Sequence, residues 1–191
     1  YKCIFFAVVM MNFCSNCGSE KLITKIPEGD HVPRTICSNC ETVHYVNPVN
    51  VVGCVITDAE GRVMLAKRGI EPRKDYWNLP AGFMEMYETI QEGALREVFE
   101  ETGAHVNLGD QLVIYNVPHA GQVYHIFYAE LGDSSYHITP ESTEIKFFAE
   151  AEIPWGDIAF SSNEFALRTF FNNRKEGGRN VKIGTYIKKS E

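Results

Sequence analysis

Residues 82–104, GFMEMYETIQEGALREVFEETGA, are the stretch on which the interpretation of this chain depends. Between residues 85 and 101 it holds six acidic side chains and a single basic one, Arg96. We predict a helix over residues 88–102 that ends at Gly103, because glycine readily takes the conformation that stops a helix. A charge run of this kind is most often a solvated helix face, so the spacing of the acids must decide whether it is more.

The acids of this helix are not evenly spread around it. At about 100° per residue, Glu97, Glu100 and Glu101 fall within an arc of about 100°. Like charges three and four residues apart destabilise a helix, whereas Mg²⁺ and Mn²⁺ prefer oxygen ligands. The spacing therefore predicts that these three carboxylates bind a divalent cation.

The remaining side chains of the helix are assigned from the same geometry. The side opposite the carboxylates predicts a core-facing stripe made of Leu95, Val98 and Phe99. Arg96 stands four residues after Glu92, so we expect these two side chains to pair. Arg96 is also expected to reach Glu88 and so to hold the first turn of the helix to its middle.

The full pattern of this stretch is G-x5-E-x7-R-E-U-x-E-E-x-G-U, where U is an apolar residue, and the chain matches all nine positions. The pattern resembles the box of the Nudix hydrolases, and residues 77–82, WNLPAG, resemble that family's approach to the box. The resemblance extends from residue 48 to at least residue 149. It implies an α+β fold, a Nudix-type α/β/α sandwich around a mixed sheet.

The resemblance also implies an activity: hydrolysis of a nucleoside diphosphate linked to another moiety, X, by attack of water on phosphorus. Mg²⁺ or Mn²⁺ would be the catalytic cation. The residues that the resemblance assigns to its binding and support are Glu97, Glu100, Glu101, the carbonyl of Ala81, and the supporting pair Glu88 and Arg96.

In this family the general base often comes from a glutamate outside the helix. Glu144, at the start of a predicted strand, is the first candidate and Glu141 the second. The alternative for either residue is an ordinary solvated loop carboxylate.

Substrate contacts are expected from a hairpin strand and from aromatic side chains near the box. Arg68 ends the hairpin strand and is a candidate phosphate contact, with an ordinary surface arginine as the alternative. Phe83, Tyr115 and Tyr124 are candidates to stack on a nucleobase, although an aromatic on a strand is more often in the core.

An internal repeat lies nearer the start of the chain, where residues 13–17 read FCSNC and residues 36–40 read ICSNC. Two C-x-x-C pairs with nineteen residues between them have the spacing of a four-thiolate zinc site. We expect Cys14, Cys17, Cys37 and Cys40 to bind one structural Zn²⁺. The alternative is two disulfides, but nothing else in the sequence indicates an oxidising compartment.

A ribbon followed by such a box resembles the zinc-ribbon Nudix enzymes, which include NADH pyrophosphatases and FAD or ADP-ribose pyrophosphatases. Residues 153–162, IPWGDIAFSS, share only a Pro-Trp core with the block that NADH pyrophosphatases carry beyond the box. We therefore expect FAD or ADP-ribose as substrate, cleaved to AMP and a phosphorylated remainder. The alternatives are an NADH- or NAD-type pyrophosphatase, a ligand-sensing Nudix module without activity, and an RNA-cap or triphosphate hydrolase.

Length and charge limit the other classes of function. The chain has 191 residues, 45% hydrophobic and 23% charged, with a formal net charge of −7. That charge disfavours binding to a phosphate backbone, and no apolar run reaches the roughly 18 residues that a membrane span needs. We expect a cytoplasmic enzyme with a small-molecule nucleotide substrate and neither a nucleic-acid nor a membrane partner, and leave a homodimer open.

The chain divides by composition into three segments. Residues 1–12 are expected to be a leader or the remnant of an upstream start, residues 13–46 the zinc ribbon, and residues 47–191 the Nudix domain. Within that domain, turn signals and β-branched runs predict strands at 49–57, 62–67, 106–117, 122–131 and 144–149. A capping box at Ser161 and Glu164 predicts a second helix to about residue 171, and residues 181–187 predict a last edge strand.

Overall fold

The computed structural model describes residues 11–132 and 135–187. The expected leader, residues 1–12, lies outside the described residues apart from its last two positions. Packing divides the chain into two compact units, with the division between Pro48 and Val49. Each unit is described by itself below.

The first unit is a small antiparallel sheet in the order β1-β2-β3. Its strands are β1 (Leu22–Lys25), β2 (Arg34–Cys37) and β3 (Val43–His44). Among its described residues, the buried apolar side chains are only Cys14, Ile36 and Cys37. So small an apolar core cannot offset the entropy of ordering the chain, which makes a metal the natural source of stability.

The second unit is built on one mixed sheet with the strand order β10-β5-β4-β9-β8-β11. The pairs β4–β9 and β8–β11 are parallel, and the other pairs are antiparallel. Two short strands lie off this path, with β6 beside β5 and β7 beside β4. The strands are β4 (Val49–Thr57), β5 (Val63–Arg68), β6 (Trp77–Asn78), β7 (Ala81–Phe83), β8 (Val106–Val117), β9 (Gln122–Leu131), β10 (Ser142–Phe148) and β11 (Lys182–Thr185).

Helices cover both faces of this sheet. Helix α1 (Ile90–Thr102) packs over the cluster that contains Val52 and Ile56, while α2 (Ser161–Glu176) packs over the cluster that contains Leu65 and Ile126. Since side chains alternate between the faces of a strand, neighbouring residues of β4 and β5 supply both clusters. The predicted α/β/α sandwich around a mixed sheet is confirmed.

The core-facing stripe predicted for α1 is wrong at two of its three positions. Val98 is fully buried, but Leu95 and Phe99 are 38% and 49% exposed. The helix instead packs through Ala94, Val98 and Thr102, and Glu97 is also buried. The carboxylate arc therefore borders the buried face of α1 and does not lie opposite to it, which brings charged groups into partly dry surroundings.

The capping box predicted for α2 is also wrong. Phe160 occupies the capping position, makes no side-chain cap bond, and leaves Ser161 as the first helical residue. Glu164 pairs with Arg168 at 2.8 Å instead of reaching back to the cap. The helix continues to Glu176 and stops at Gly177, whose φ of 69° is left-handed.

Candidate active site

Helix α1 begins at a complete capping box. The side chain of Thr89 accepts from the backbone N–H of Glu92 at 3.2 Å, and the carboxylate of Glu92 accepts from the backbone N–H of Thr89 at 2.8 Å. Gly103 ends the helix with a φ of 66°. Because Glu92 is engaged in the cap, the predicted Glu92–Arg96 pair does not form.

Arg96 joins the loop before α1 to the carboxylates on it. Its guanidinium binds Glu88 through two hydrogen bonds of 2.7 and 3.0 Å, as expected, and donates to the carbonyl of Phe83 at 3.0 Å. The same group donates to Glu97 at 2.7 Å and to Glu100 at 3.0 Å. The hydrogen bonds from Arg96 and from the loop backbone hold the pKa of Glu88 at about 2.

The glycine that opens the box makes room for Glu97. A Cβ at Gly82 would overlap the Glu97 carboxylate, which lies against the backbone of β7. Gly53, on the neighbouring strand β4, makes room in the same way, because a Cβ there would overlap Pro80 and Ala81. The backbone thus approaches α1 closely enough to bury one side of the carboxylate arc.

Glu101, which is half-buried, lies beside Ala81 of β7. Its carboxylate accepts a hydrogen bond from the backbone N–H of Ala81, at 3.3 Å. Burial, together with the charge of Glu97, raises the pKa of Glu101 to about 8. Burial also raises the pKa of Glu97, although Arg96 opposes the shift.

These carboxylates suit a hard divalent cation. Glu97 is buried and Glu101 is half-buried, and desolvation and neighbouring negative charges raise the pKa of both. Carboxylate oxygens in such surroundings are the ligands that Mg²⁺ and Mn²⁺ prefer. Glu100 is 58% exposed and shares one guanidinium nitrogen of Arg96 with Glu97. Within the residues that the structure describes, the carboxylate oxygens of the three glutamates do not all lie within 4.8 Å of one another.

Of the two candidate bases, the structure brings Glu141 to the carboxylates. Glu141 lines a small cavity together with Glu101 and Arg68, and its charge raises the pKa of both Glu97 and Glu101. Glu144 lies on β10 at an exposed position paired with Lys67. By alternation, Glu144 shares its strand face with Phe148, which packs on the α2 side of the sheet.

A cleft of about 860 Å³ opens beside this cavity and shares Arg68 and Asn78 with it. Arg68 stacks its guanidinium over the ring of Phe160 at 5.2 Å and donates to the carbonyl of Pro72 at 2.8 Å. Phe83, which is 58% exposed, also lines the cleft.

The other two aromatic candidates lie in different surroundings. Tyr124 lines the cleft, and burial raises its pKa. Tyr115 is 6% exposed and packs against Phe165, so its ring belongs to the core. Tyr115 is therefore a core residue, which was the alternative to a role in stacking on a nucleobase.

The four ribbon cysteines form a cluster of their own. Their sulfur atoms lie within 4.8 Å of one another, with Cys14–Cys40 and Cys17–Cys37 both at 3.6 Å. Zinc bonds of about 2.3 Å in a tetrahedron place sulfurs about 3.8 Å apart, whereas a disulfide needs about 2.05 Å. All four are free thiols in this structure, and hydrogen bonds from Thr42 lower the pKa of Cys40 to about 5, which favours the thiolate.

The asparagine in each repeated Ser-Asn pair makes a hydrogen bond to a cysteine sulfur. Asn16 donates to the sulfur of Cys40 at 3.7 Å, and Asn39 donates to the sulfur of Cys17 at 3.6 Å. Each knuckle therefore orients a sulfur of the other one. The donor set and its spacing fit a single zinc ion.

Comparison with known proteins accounts for nearly all of the described chain. A family model described as "NUDIX domain" matches residues 47–168, which is more than half of the chain. A second one, described as "Nudix N-terminal", matches residues 12–46.

The chain belongs to the Nudix hydrolase family.

Individual relatives of this Nudix chain carry different names. It is 29% identical over 108 residues to a MutT-like protein of Streptomyces ambofaciens, which covers 56% of the chain and 68% of that protein. It is 35% identical over 74 residues to an ADP-ribose pyrophosphatase of Methanocaldococcus jannaschii, covering 39% and 43% of the two. It is 31% identical over 98 residues to the NAD-capped RNA hydrolase NudC of Vibrio parahaemolyticus, covering 50% and 34%. The chain thus spans less than half the length of the last two.

A solved structure extends the likeness to both units. The crystal structure of a NUDIX hydrolase from Nitrosomonas europaea is 44% identical, with a TM-score of 0.88, and the match covers 93% of this chain and all of that one. In residues 11–132 and 135–187 of the Nudix chain, no helix has the length and apolar character needed to cross a membrane.

Several cleft residues of the Nudix domain were not found from the sequence. Asn163 at the start of α2 donates to the side chain of Asn78, and both are buried in the cleft wall. Asn78 stands within the WNLPAG stretch, which was a usable signal. Tyr186 also lines the cleft, but it arrives by the parallel pairing of β11 with β8, which leaves no local pattern.

Proposed function

We propose that this chain is a divalent-cation-dependent pyrophosphohydrolase that cleaves the diphosphate of a nucleoside diphosphate linked to X. The observation that carries the proposal is that Glu101 and Glu141 line one small cavity, where the charges of Glu97 and Glu141 both act on Glu101, and that a cleft of about 860 Å³ lies beside this cavity. Phosphoryl transfer depends on charge neutralisation and positioning more than on covalent chemistry, and this wall of the cleft offers the residues for both.

The proposed roles follow from these positions. Glu97, Glu100 and Glu101 would hold the cation with the carbonyl of Ala81. When bound, the cation would neutralise phosphate charge and lower the pKa of the attacking water. The bonds that Arg96 makes to Glu88 would keep the supporting loop in place.

Glu141 is preferred here to Glu144 as the general base, because Glu141 shares a cavity with Glu101. It would accept a proton from water as the oxygen attacks phosphorus and the bridging P–O bond breaks. Arg68 would contact a phosphate, since it faces both the cavity and the cleft. Phe83 would offer an exposed ring to a base.

FAD and ADP-ribose are the proposed first substrates, giving AMP and a phosphorylated remainder. The cleft lies in the upper half of the range of about 300–1,000 Å³ typical of small-molecule sites, which is compatible with a dinucleotide. The stretch that departs from the NADH pattern lines this cleft, through Gly156, Ile158 and Phe160 among others. The similarity to a protein named ADP-ribose pyrophosphatase also supports this proposal.

An NAD- or NADH-type substrate is the second candidate. It is favoured by the similarity to a protein named NAD-capped RNA hydrolase, over half of this chain. A ligand-sensing module is the third reading, but the box retains all of its glutamates, which a sensor does not need.

A substrate panel tests the proposal. FAD, ADP-ribose, NADH, NAD-capped RNA and a deoxynucleoside triphosphate are incubated with Mg²⁺ or Mn²⁺, and the products are separated by chromatography. We expect AMP from FAD or ADP-ribose, and no turnover after the cation is chelated. A tenfold preference for NADH or the triphosphate over both would overturn the substrate, and no turnover of any of the five would favour the sensor.

A further inference from the structure

The segment that precedes β10 is attached to the C-terminal end of α1. The hydroxyl of Thr139 donates to the backbone carbonyl of Glu101 at 3.1 Å, and the backbone N–H of His137 donates to the carbonyl of Thr102 at 2.8 Å. The last carbonyls of a helix have no partner within the helix. Residues 137–139 supply those partners and are thereby fixed to the turn that carries Glu101.

Gly103 gives this attachment its space. A Cβ at Gly103 would overlap the imidazole ring of His137, independently of the strain that its φ of 66° would impose on another residue. The last glycine of the box therefore has two purposes: it stops α1, and it leaves the surface on which His137 rests.

The attachment lies only two residues from Glu141. The backbone N–H of Ser142 donates to the carbonyl of Thr139 at 3.1 Å, which closes a turn around Glu141. The backbone N–H of Gly69 donates to the carbonyl of Glu141 at 2.8 Å, and Ser142 is 7% exposed. Glu141 is thus held between the end of β5 and the end of α1.

We propose that Thr139 is a positioning residue, whose hydroxyl bond to the backbone of Glu101 fixes Glu141 at the correct distance from the carboxylates of α1. The inference rests on the proposed function, in which Glu141 is the general base. The hydroxyl of Thr139 meets the backbone of Glu101 and not its carboxylate, so its loss releases the turn that carries Glu141 without removing a ligand or a substrate contact. A displacement of about 1 Å in an active site costs up to about a hundredfold in rate.

The first test compares three variants of the full chain under Mg²⁺, with whichever of the five panel substrates is turned over fastest. Thr139→Val keeps the shape and loses the hydroxyl, and we expect kcat to fall about tenfold with KM changed less than twofold. Thr139→Ser restores the hydroxyl and should restore kcat. Thr143→Val is the matched control, because its hydroxyl meets only the carbonyl of Lys67, at 3.5 Å, and it should leave kcat unchanged.

A readout independent of turnover accompanies this comparison. Amide hydrogen exchange at Glu141 and Ser142 should become faster in Thr139→Val and stay at the wild-type rate in Thr139→Ser. Unchanged exchange together with unchanged kcat would overturn the proposal. A fall in kcat that serine does not restore would overturn it as well.

A double-mutant cycle separates this inference from the function on which it rests. Glu141→Gln should lower kcat about a hundredfold, Glu144→Gln should not, and Thr139→Val should cost nothing more in the Glu141→Gln background. Additive losses would show that Thr139 acts elsewhere. Normal kcat in Glu141→Gln, with activity lost in Glu101→Gln, would overturn this proposal and leave the hydrolase function standing.

Discussion

At the scale of single residues, the environment of Glu101 opposes the ionised form of its carboxyl group. Its carboxyl is buried with the charges of Glu97 and Glu141 nearby, and its pKa of about 8 is the consequence. A protein gains nothing in stability from such a carboxylate when no cation is present. Its position is explained if a bound cation supplies the missing positive charge.

We therefore predict that Glu101→Gln lowers turnover at least about a hundredfold at saturating Mg²⁺, since it keeps the shape and removes a ligand charge. Mg²⁺ should raise the melting temperature of the wild type, because a ligand that binds only the folded state stabilises it. That rise should vanish in the variant, and differential scanning fluorimetry with and without Mg²⁺ measures it. Near-normal turnover would remove Glu101 from the cation site.

A second residue-scale prediction concerns the glycine that faces Glu97. In Gly82→Ala the new methyl group would overlap the carboxylate, which is the movable end of its side chain. We expect the chain to fold with a loss of about 1 kcal/mol and turnover to fall at least tenfold, because the carboxylate moves. Gly178→Ala is the control, since a Cβ there meets only Asn180, at 3.4 Å. Equal turnover in the two variants would contradict the close fit.

At the scale of elements, local signals predicted the strands well where the sequence contains them. Strands β4, β8 and β9 occupy the predicted residues 49–57, 106–117 and 122–131, since β-branched runs end there at turn residues. The box, its capping residues and the carboxylate arc were likewise visible, because they depend on spacing along one helix.

Two predictions that failed, the core stripe of α1 and the choice of Glu144 as first candidate base, depend on packing between elements. Leu95 and Phe99 have the helical spacing of a core stripe, but the close approach of β7 turns the other side of α1 inward. Glu144 is nearer to the predicted strand than Glu141, but the alternation of β10 and the bulge after Ser142 place it away from α1. Neither effect leaves a pattern in the local sequence.

The turn between β4 and β5 gives a prediction of pH dependence. Burial raises the pKa of Asp58, but hydrogen bonds from the backbone and guanidinium of Arg62, at 2.8 and 2.7 Å, more than offset it and lower the pKa. A carboxyl with a lowered folded-state pKa stabilises the fold above its unfolded pKa of about 3.8 and loses that contribution as the pH falls further.

Asp58→Asn should therefore cost on the order of 1 kcal/mol of unfolding free energy at pH 7 and progressively less between pH 5 and pH 3. Denaturant unfolding of both proteins across this range measures the difference. Glu60→Gln serves as the control, because Glu60 is 66% exposed and meets the same Arg62 at 3.3 Å. This substitution should change the free energy of unfolding by about 0.3 kcal/mol at most. A constant Asp58→Asn cost over this range would refute the assignment.

At the scale of the whole molecule, the two units draw their stability from different sources. The second unit has a two-sided core, with fully buried Leu65 and Ile126 on the α2 side and Val52 and Val98 on the α1 side. The described residues of the first unit bury little apolar surface, and its sulfur cluster takes the place of a core. The units should consequently respond differently to loss of metal.

We predict one Zn²⁺ per chain, measured by elemental analysis, and selective unfolding of residues 13–46 when it is removed, because metal-binding energy in such modules is folding energy. After chelation and the return of excess Mg²⁺, amide hydrogen exchange should become fast in the ribbon and remain slow in β4 and α1. Cys37→Ser should reproduce this loss in the full chain, whereas Ser38→Ala, on the same knuckle, should bind zinc normally. Intact Cys–Cys bonds in mass spectrometry would contradict the zinc site. Simultaneous unfolding of both units would contradict their separate sources of stability, because a domain with its own two-sided core does not need the ribbon's metal to stay folded.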